Sequence, residues 1–144
     1  MLLCENSIAN RLEASKLLYG LLLELVACNN GVYNNKTVMI KLEPIISYME
    51  KNFPEDISLE GLASKMGVSV SYFCRSFKSV YQLSPMQYLN SLRINHAKCL
   101  IQTTPKASVK EIAVQCGYKD TSYFCAQFKK SVGITPTEYR NLFW

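Results

Sequence analysis

The sequence predicts an all-α fold: a seven-helix domain built from two helix-turn-helix units, preceded by an N-terminal helix. Three observations predict it. The stretch from Ser58 to Tyr88 recurs as Ser108 to Tyr139, with one residue inserted near Thr121. Apolar residues return every three to four positions through each copy. Helix-starting and helix-ending residues stand at matched places in both. A repeat of this length means one supersecondary unit used twice.

The first element is a helix from about Leu3 to Cys28, with Ile8, Leu12, Leu18, Leu22 and Leu25 at helical spacing. Its leucine-rich half, Leu17 to Cys28, contains Glu24 and falls short of the ~20 apolar residues that cross a bilayer. Asn29-Asn30-Gly31 ends it, and the stretch to Lys36 reads as polar linker. The next helix is predicted over about Met39 to Asn52, with Leu42, Ile45, Tyr48 and Met49 on one stripe. Pro44 belongs in its first turn or marks a kink, since proline lacks an N–H and clashes deeper in a helix. Phe53-Pro54-Glu55-Asp56 is a loop.

Each copy of the repeat then reads as helix, turn, helix, over about 58–82 and 108–133. Ser58 and Ser108 are N-caps, and Glu111 completes a capping box with Ser108. Leu59, Leu62, Ala63 and Met66, and in the second copy Val109, Ile112, Ala113 and Cys116, form the buried side of the first helix. Gly67 and Gly117 supply the left-handed conformation that ends it. In the second helix Phe73 and Phe77, or Phe124 and Phe128, lie four apart on the buried side. A linking helix over about 84–102 joins the units. Ser84 caps it, Pro85 fits its first position and Gln87 completes the box. Thr135-Pro136-Thr137-Glu138 repeats the device at a final helix, about Pro136 to Phe143.

The charge is unevenly placed. Residues 1–40 carry three basic and three acidic side chains, so residues 41–144, with 13 basic and 8 acidic, hold the whole +5. A basic part of this kind suits a polyanionic partner, although +5 is also compatible with a merely basic surface. The six cysteines include no C-x-x-C pair and His96 is the only histidine, so zinc-ligand spacing is absent and no metal or cofactor is expected. They read as reduced thiols of a cytoplasmic protein, with Cys116 among the core positions. A Gly-rich phosphate loop and a histidine–carboxylate pair are both missing, which speaks against an enzyme. A helical protein-binding adaptor is the other rival class.

The open side of the second helix in each unit carries Ser71, Cys74, Arg75 and Lys78, then Ser122, Cys125, Ala126 and Lys129. Small and polar residues beside lysines suit a DNA major groove. Taken alone, they suit a solvated face on an ordinary helical bundle equally well.

The second copy, KEIAVQCGYKDTSYFCAQFKKSVGITPTEYR, resembles the signature of the AraC/XylS family of bacterial transcription regulators. Gly117-Tyr118, Ser122-Tyr123-Phe124, Phe128-Lys129-Lys130, Gly133-Ile134-Thr135-Pro136 and Tyr139-Arg140 carry the likeness, and Tyr88 to Ile101 looks like the family's linking helix. The match runs from about Leu42 to Arg140. It implies homeodomain-like units that bind double-stranded DNA in the major groove, over residues 37–144, as the DNA-binding portion of a longer regulator. RNA polymerase is an implied partner. Residues 1–36 would then be the remnant or docking helix of a sensing and dimerisation domain, and a route to a homodimer; the alternative is an extra helix packed on the DNA-binding domain itself.

By position, the resemblance assigns base reading to Ser71, Cys74 and Arg75 in the first unit, and to Thr121, Ser122, Cys125 and Ala126 in the second. Arg75 is the sharpest, because guanine O6 and N7 match a bidentate guanidinium. Phosphate candidates are Lys78, Lys129, Lys130 and Arg140, with the helix starts at Ser84 and Thr135. Arg93 is ambiguous: a tie from the linking helix to Glu111 or another acid is expected ahead of a contact to DNA. Two departures stand out: Ala126 where the family often has arginine, and Gln82 where a glycine like Gly133 is common.

Overall fold

The computed structural model describes Leu18 and residues 33–144, and the helix predicted for residues 3–28 lies outside that range apart from Leu18. Seven helices occur among the described residues: α1 (Tyr33–Asn52), α2 (Leu59–Met66), α3 (Val70–Tyr81), α4 (Pro85–Thr103), α5 (Val109–Gln115), α6 (Thr121–Val132) and α7 (Pro136–Arg140).

The capping chemistry sets most of these boundaries. Ser58, Ser69, Ser84, Ser108, Asp120 and Thr135 are all extended N-caps whose side chains accept a backbone N–H from the first turn. Full capping boxes form at Ser84/Gln87, Ser108/Glu111 and Thr135/Glu138. Such a cap is worth about 1 kcal/mol, which matters for helices of seven or five residues such as α5 and α7. Gly67 and Gly117 have φ of 70° and 83°, the left-handed turns expected between the paired helices.

Two boundaries and the place of one proline differ from the sequence expectation. Helix α1 starts at Tyr33, so the polar stretch before Met39 is helical and not a linker; from Tyr33 on it contains no glycine or proline to stop it. Pro44 consequently lies deep inside α1. Its missing N–H leaves the Ile40 carbonyl without its usual donor, but Pro44 and Ile40 are both exposed, so water can reach that group. Helix α7 ends at Arg140, five residues long, and the chain continues in a turn through Phe143.

The core is in two parts. Leu42, Ile45, Ile46 and Met49 of α1 pack with Leu62, Ala63, Phe73, Phe77 and Val80. The second cluster joins Ile112, Ala113, Cys116, Tyr118, Phe124 and Phe128. Helix α4 serves both: Leu89 and Leu92 face the first, while Ile94, Ala97 and Ile101 face the second. The repeat is preserved down to ring geometry. Phe73–Phe77 and Phe124–Phe128 both meet edge to face at 5.8 Å, and the pairs Phe77–Tyr88 and Phe128–Tyr139 do so at 5.7 and 5.5 Å. Cys116 is fully buried, and burial pushes its thiol up to about 12. Cys74, Cys116 and Cys125 are free thiols.

Candidate nucleic-acid interface

Helices α3 and α6 are the two candidate reading helices, each of 12 residues. In each, the phenylalanine pair is fully buried and anchors one side. In α3 the opposite side presents Ser71, Arg75 and Lys78 to solvent, with Cys74 half-buried at its edge. In α6 it presents Ser122, Ala126, Lys129 and Lys130, with Thr121 and Cys125 half-buried. Positions 71, 75 and 78, like 122, 126 and 129, are spaced four and three apart and therefore share one face. Each reading helix thus has a small or polar N-terminal half and a basic C-terminal turn.

Arg75 forms no ion pair among the described residues; its Nε lies 3.4 Å from the Ser71 carbonyl, a long contact at an exposed site. The guanidinium is therefore available to a ligand. Tyr72 and Tyr123, beside the phenylalanines, are 44% and 58% exposed, so these two tyrosines flank the reading faces and do not join the core. Burial raises the Cys125 thiol, helped by Asp120, so it stays a neutral group on that face.

The remaining candidates fall in several places. Ser84 and Thr135 do cap their helices, but their caps are occupied from within the chain. Gln87 Oε1 accepts the Ser84 N–H at 2.8 Å, and Glu138 Oε2 accepts the Thr135 N–H at 2.7 Å. Hydrogen bonds from Thr135 hold the Glu138 carboxyl below the usual range, with a smaller contribution from Lys129, so an anionic side chain already sits at the start of α7. Arg140 is half-buried and donates from Nη2 to the Ala107 carbonyl at 2.6 Å, bracing the loop before α5. Its Nε is buried with no partner among the described residues.

Arg93 does not reach Glu111. Glu111 instead accepts the Ser108 N–H at 2.7 Å as part of its own cap. Arg93 donates from Nε to the Phe53 carbonyl at 2.7 Å and from Nη2 to the Glu55 carbonyl at 2.8 Å. Carbonyl partners leave no sequence signal, so the sequence points to an acid in their place. Sequence reasoning also misses the Lys119–Asp56 pair, at 2.7 Å, because 63 residues separate its members. The caps Ser69 and Asp120 are legible in principle, as cap-type residues immediately before the reading helices.

A profile describing a helix-turn-helix domain matches residues 62–142. A transcriptional regulator from Chromobacterium violaceum with an AraC-type DNA-binding domain is 33% identical, with a TM-score of 0.65 over 72% of this chain and 91% of that one. The chain belongs to the AraC/XylS family. The transcriptional activator RhaR of Mannheimia succiniciproducens is 33% identical over 121 residues, 83% of this chain and 44% of that protein. The DNA-binding domain of AdpA, a global transcriptional factor solved with a target DNA, is 27% identical, with a TM-score of 0.67 over 71% of this chain and 91% of that one. The chain spans about a third to a half of the length of the curated AraC/XylS relatives it matches. No helix among its described residues is long and apolar enough to cross a membrane.

Proposed function

We propose that this chain is the DNA-binding portion of a bacterial transcription regulator and that it reads one long, asymmetric operator through two successive major grooves. The observation that carries the reading is the duplication itself. Two helices with the same buried phenylalanine pair and the same small-then-basic outer face are mounted on one linking helix. Major-groove faces recur every ~34 Å along one side of a duplex, which suits two such helices on one spacer.

In this reading α3 supplies Ser71, Cys74 and Arg75 to base edges, with Arg75 bidentate to a guanine. Helix α6 supplies Thr121, Ser122, Cys125 and Ala126; a cysteine and an alanine cannot hydrogen-bond strongly, so this helix takes a thymine methyl or serves chiefly to position the protein. Lys78, Lys129 and Lys130 take phosphates, and the start of α4 at Ser84 is a weaker phosphate site because Gln87 already engages its N–H. Arg140 and the start of α7 at Thr135 are weaker phosphate sites, because Ala107 and Glu138 engage them already.

The domain begins with α1, at Tyr33, and the residues before it are the remnant or docking helix of a sensing and dimerisation domain. RhaR is an activator by name. RNA polymerase as a partner, a homodimer through the N-terminal region and a cytoplasmic location complete the proposal. Selection of bound fragments from random DNA, followed by sequencing, tests it: a bipartite consensus with informative positions about one helical turn apart is expected. Affinity for that site should fall steeply with salt, by nearly one log unit per log unit of salt for each phosphate contacted. A flat salt response and no consensus would instead mark a protein-binding adaptor.

A further inference from the structure

The two reading helices belong to separate cores, so something must set their mutual orientation. Helix α4 packs into both cores and sets their separation, which leaves their relative tilt to bending of that helix and to any further contact between the halves. The second attachment is a contact between the loop Phe53–Asp56 of the first half and the turn Gly117–Lys119 of the second. At its centre, backbone meets backbone: a Cβ on Gly117 would stand 2.5 Å from the Pro54 carbonyl oxygen and 2.9 Å from its carbonyl carbon. Only glycine fits, for this reason as well as for its φ of 83°.

Arg93 clamps the contact from α4. Its two carbonyl bonds hold the loop, and its guanidinium carbon lies 5.5 Å from the Tyr118 ring centre in the turn. The Tyr118 hydroxyl donates to Asn90 Oδ1 at 2.5 Å, and Asn90 Nδ2 donates to Gln127 Oε1 at 3.4 Å. Gln127 is part of α6, so the chain of contacts ends on a reading helix. The rim pair Lys119–Asp56 closes the outside, but with both side chains more than 80% exposed it adds little.

We propose that this latch, centred on Gly117 against Pro54 and clamped by Arg93, is the device that selects the spacing between the two halves of the operator. The proposal rests on the two-groove reading above. Inserting one base pair between half-sites moves the second by about 3.4 Å and turns it by about 35°. Units locked together cannot follow that movement; units joined by α4 alone can follow it by bending of that helix. Arg93, Asn90 and Gly117 are positioning residues here, because they act through the orientation of α3 and α6 and touch no base.

The test uses the selected operator and versions with one base pair added or removed between its halves. The parent protein should lose at least ~10-fold in affinity on either change. Arg93→Ala should reduce that penalty several-fold while leaving the base preferences within each half-site intact. Asn90→Ala, which keeps the loop clamp and loosens the ties to Tyr118 and to α6, should do the same to a smaller degree and covers the case in which Arg93→Ala fails to fold. Thermal unfolding verifies that each variant is folded. A penalty as steep in the folded variants as in the parent overturns the latch, as does a parent that tolerates both spacings. Loss of affinity by an equal factor for every spacing would show that Arg93 acts on phosphate and overturns it too. A selected site with a single informative half overturns the two-groove reading, and the latch with it.

Discussion

Gln82 and Gly133 occupy equivalent C-caps in the two copies of the repeat, and both lie in the left-handed region, at φ of 58° and 94°. Glycine adopts that backbone freely, whereas a residue with a Cβ is strained there by about 1 kcal/mol. Gln82 recovers little through its exposed Nε2 bond to the Ser79 carbonyl at 3.2 Å. Gln82→Gly should therefore raise unfolding free energy by ~1 kcal/mol, seen as a higher urea midpoint at unchanged slope. Nothing crowds Gly133, so Gly133→Gln should cost a similar amount through strain alone. A midpoint that does not move in Gln82→Gly would show that the first copy bears no such strain.

Arg75 is exposed and meets no carboxylate among the described residues. Arg75→Ala should weaken binding to the selected operator by ~1–3 kcal/mol and leave nonspecific DNA nearly unaffected. Fluorescence anisotropy on the two DNAs measures both. Equal losses would make Arg75 a phosphate contact.

Lys129 and Lys130 close the basic turn of α6 and are both exposed. Replacing each with alanine should weaken all duplexes alike and lower the slope of log affinity against log salt by about one for each phosphate no longer neutralised. An unchanged slope would remove these lysines from the phosphate surface.

Phe124 is fully buried, with Tyr118 and Phe128 ringed against it. Phe124→Ala should cost ~3–5 kcal/mol, the range for deleting a large ring from a closed core. Because α4 is the one helix shared by the two cores, hydrogen exchange should show the loss in α5, α6 and α7 before it reaches α1, α2 and α3. Uniform loss of protection would mean that the halves unfold as one.

His96 is half-buried against the edge of Phe53, ring centres 5.0 Å apart, and burial pushes its pKa below the ordinary 6.5. The fold therefore prefers the neutral ring. Above pH 6.5 both folded and unfolded states are neutral; below it the unfolded state takes up the proton first, and stability falls until the folded ring also protonates. Asp56, Glu111 and Glu138 are held below their ordinary values, so their contributions disappear only at lower pH. Melting curves at pH 7 and about pH 5 should thus differ, and His96→Gln should shrink that difference. A variant that melts with the same pH dependence as the parent would exclude His96 as the cause.

Much of this molecule is legible in a single sequence because its instructions are local. Ser84 with Gln87, Ser108 with Glu111 and Thr135 with Glu138 each act over three residues, so spacing alone predicts the cap. The phenylalanines at 73, 77, 124 and 128 fall on one side of a helix by periodicity, which also leaves the candidate reading residues on the other. Local rules reach less far where no strong signal stands, as at Tyr33, where polar residues continue the helix, and at Pro44, which the interior of α1 accommodates on its solvent side.

The sequence by itself determined the duplicated unit, its helix starts and turns, its buried faces and the basic bias of residues 41–144. Tertiary structure alone decided how the two units meet. Arg93 selects main-chain carbonyls, Lys119 finds Asp56 across 63 residues, and Gly117 is required as much by the Pro54 backbone as by its own φ. The reason is physical: a carbonyl acceptor is the same at every residue, and a close approach between distant segments has no period. Neither can be read until the chain has brought them together.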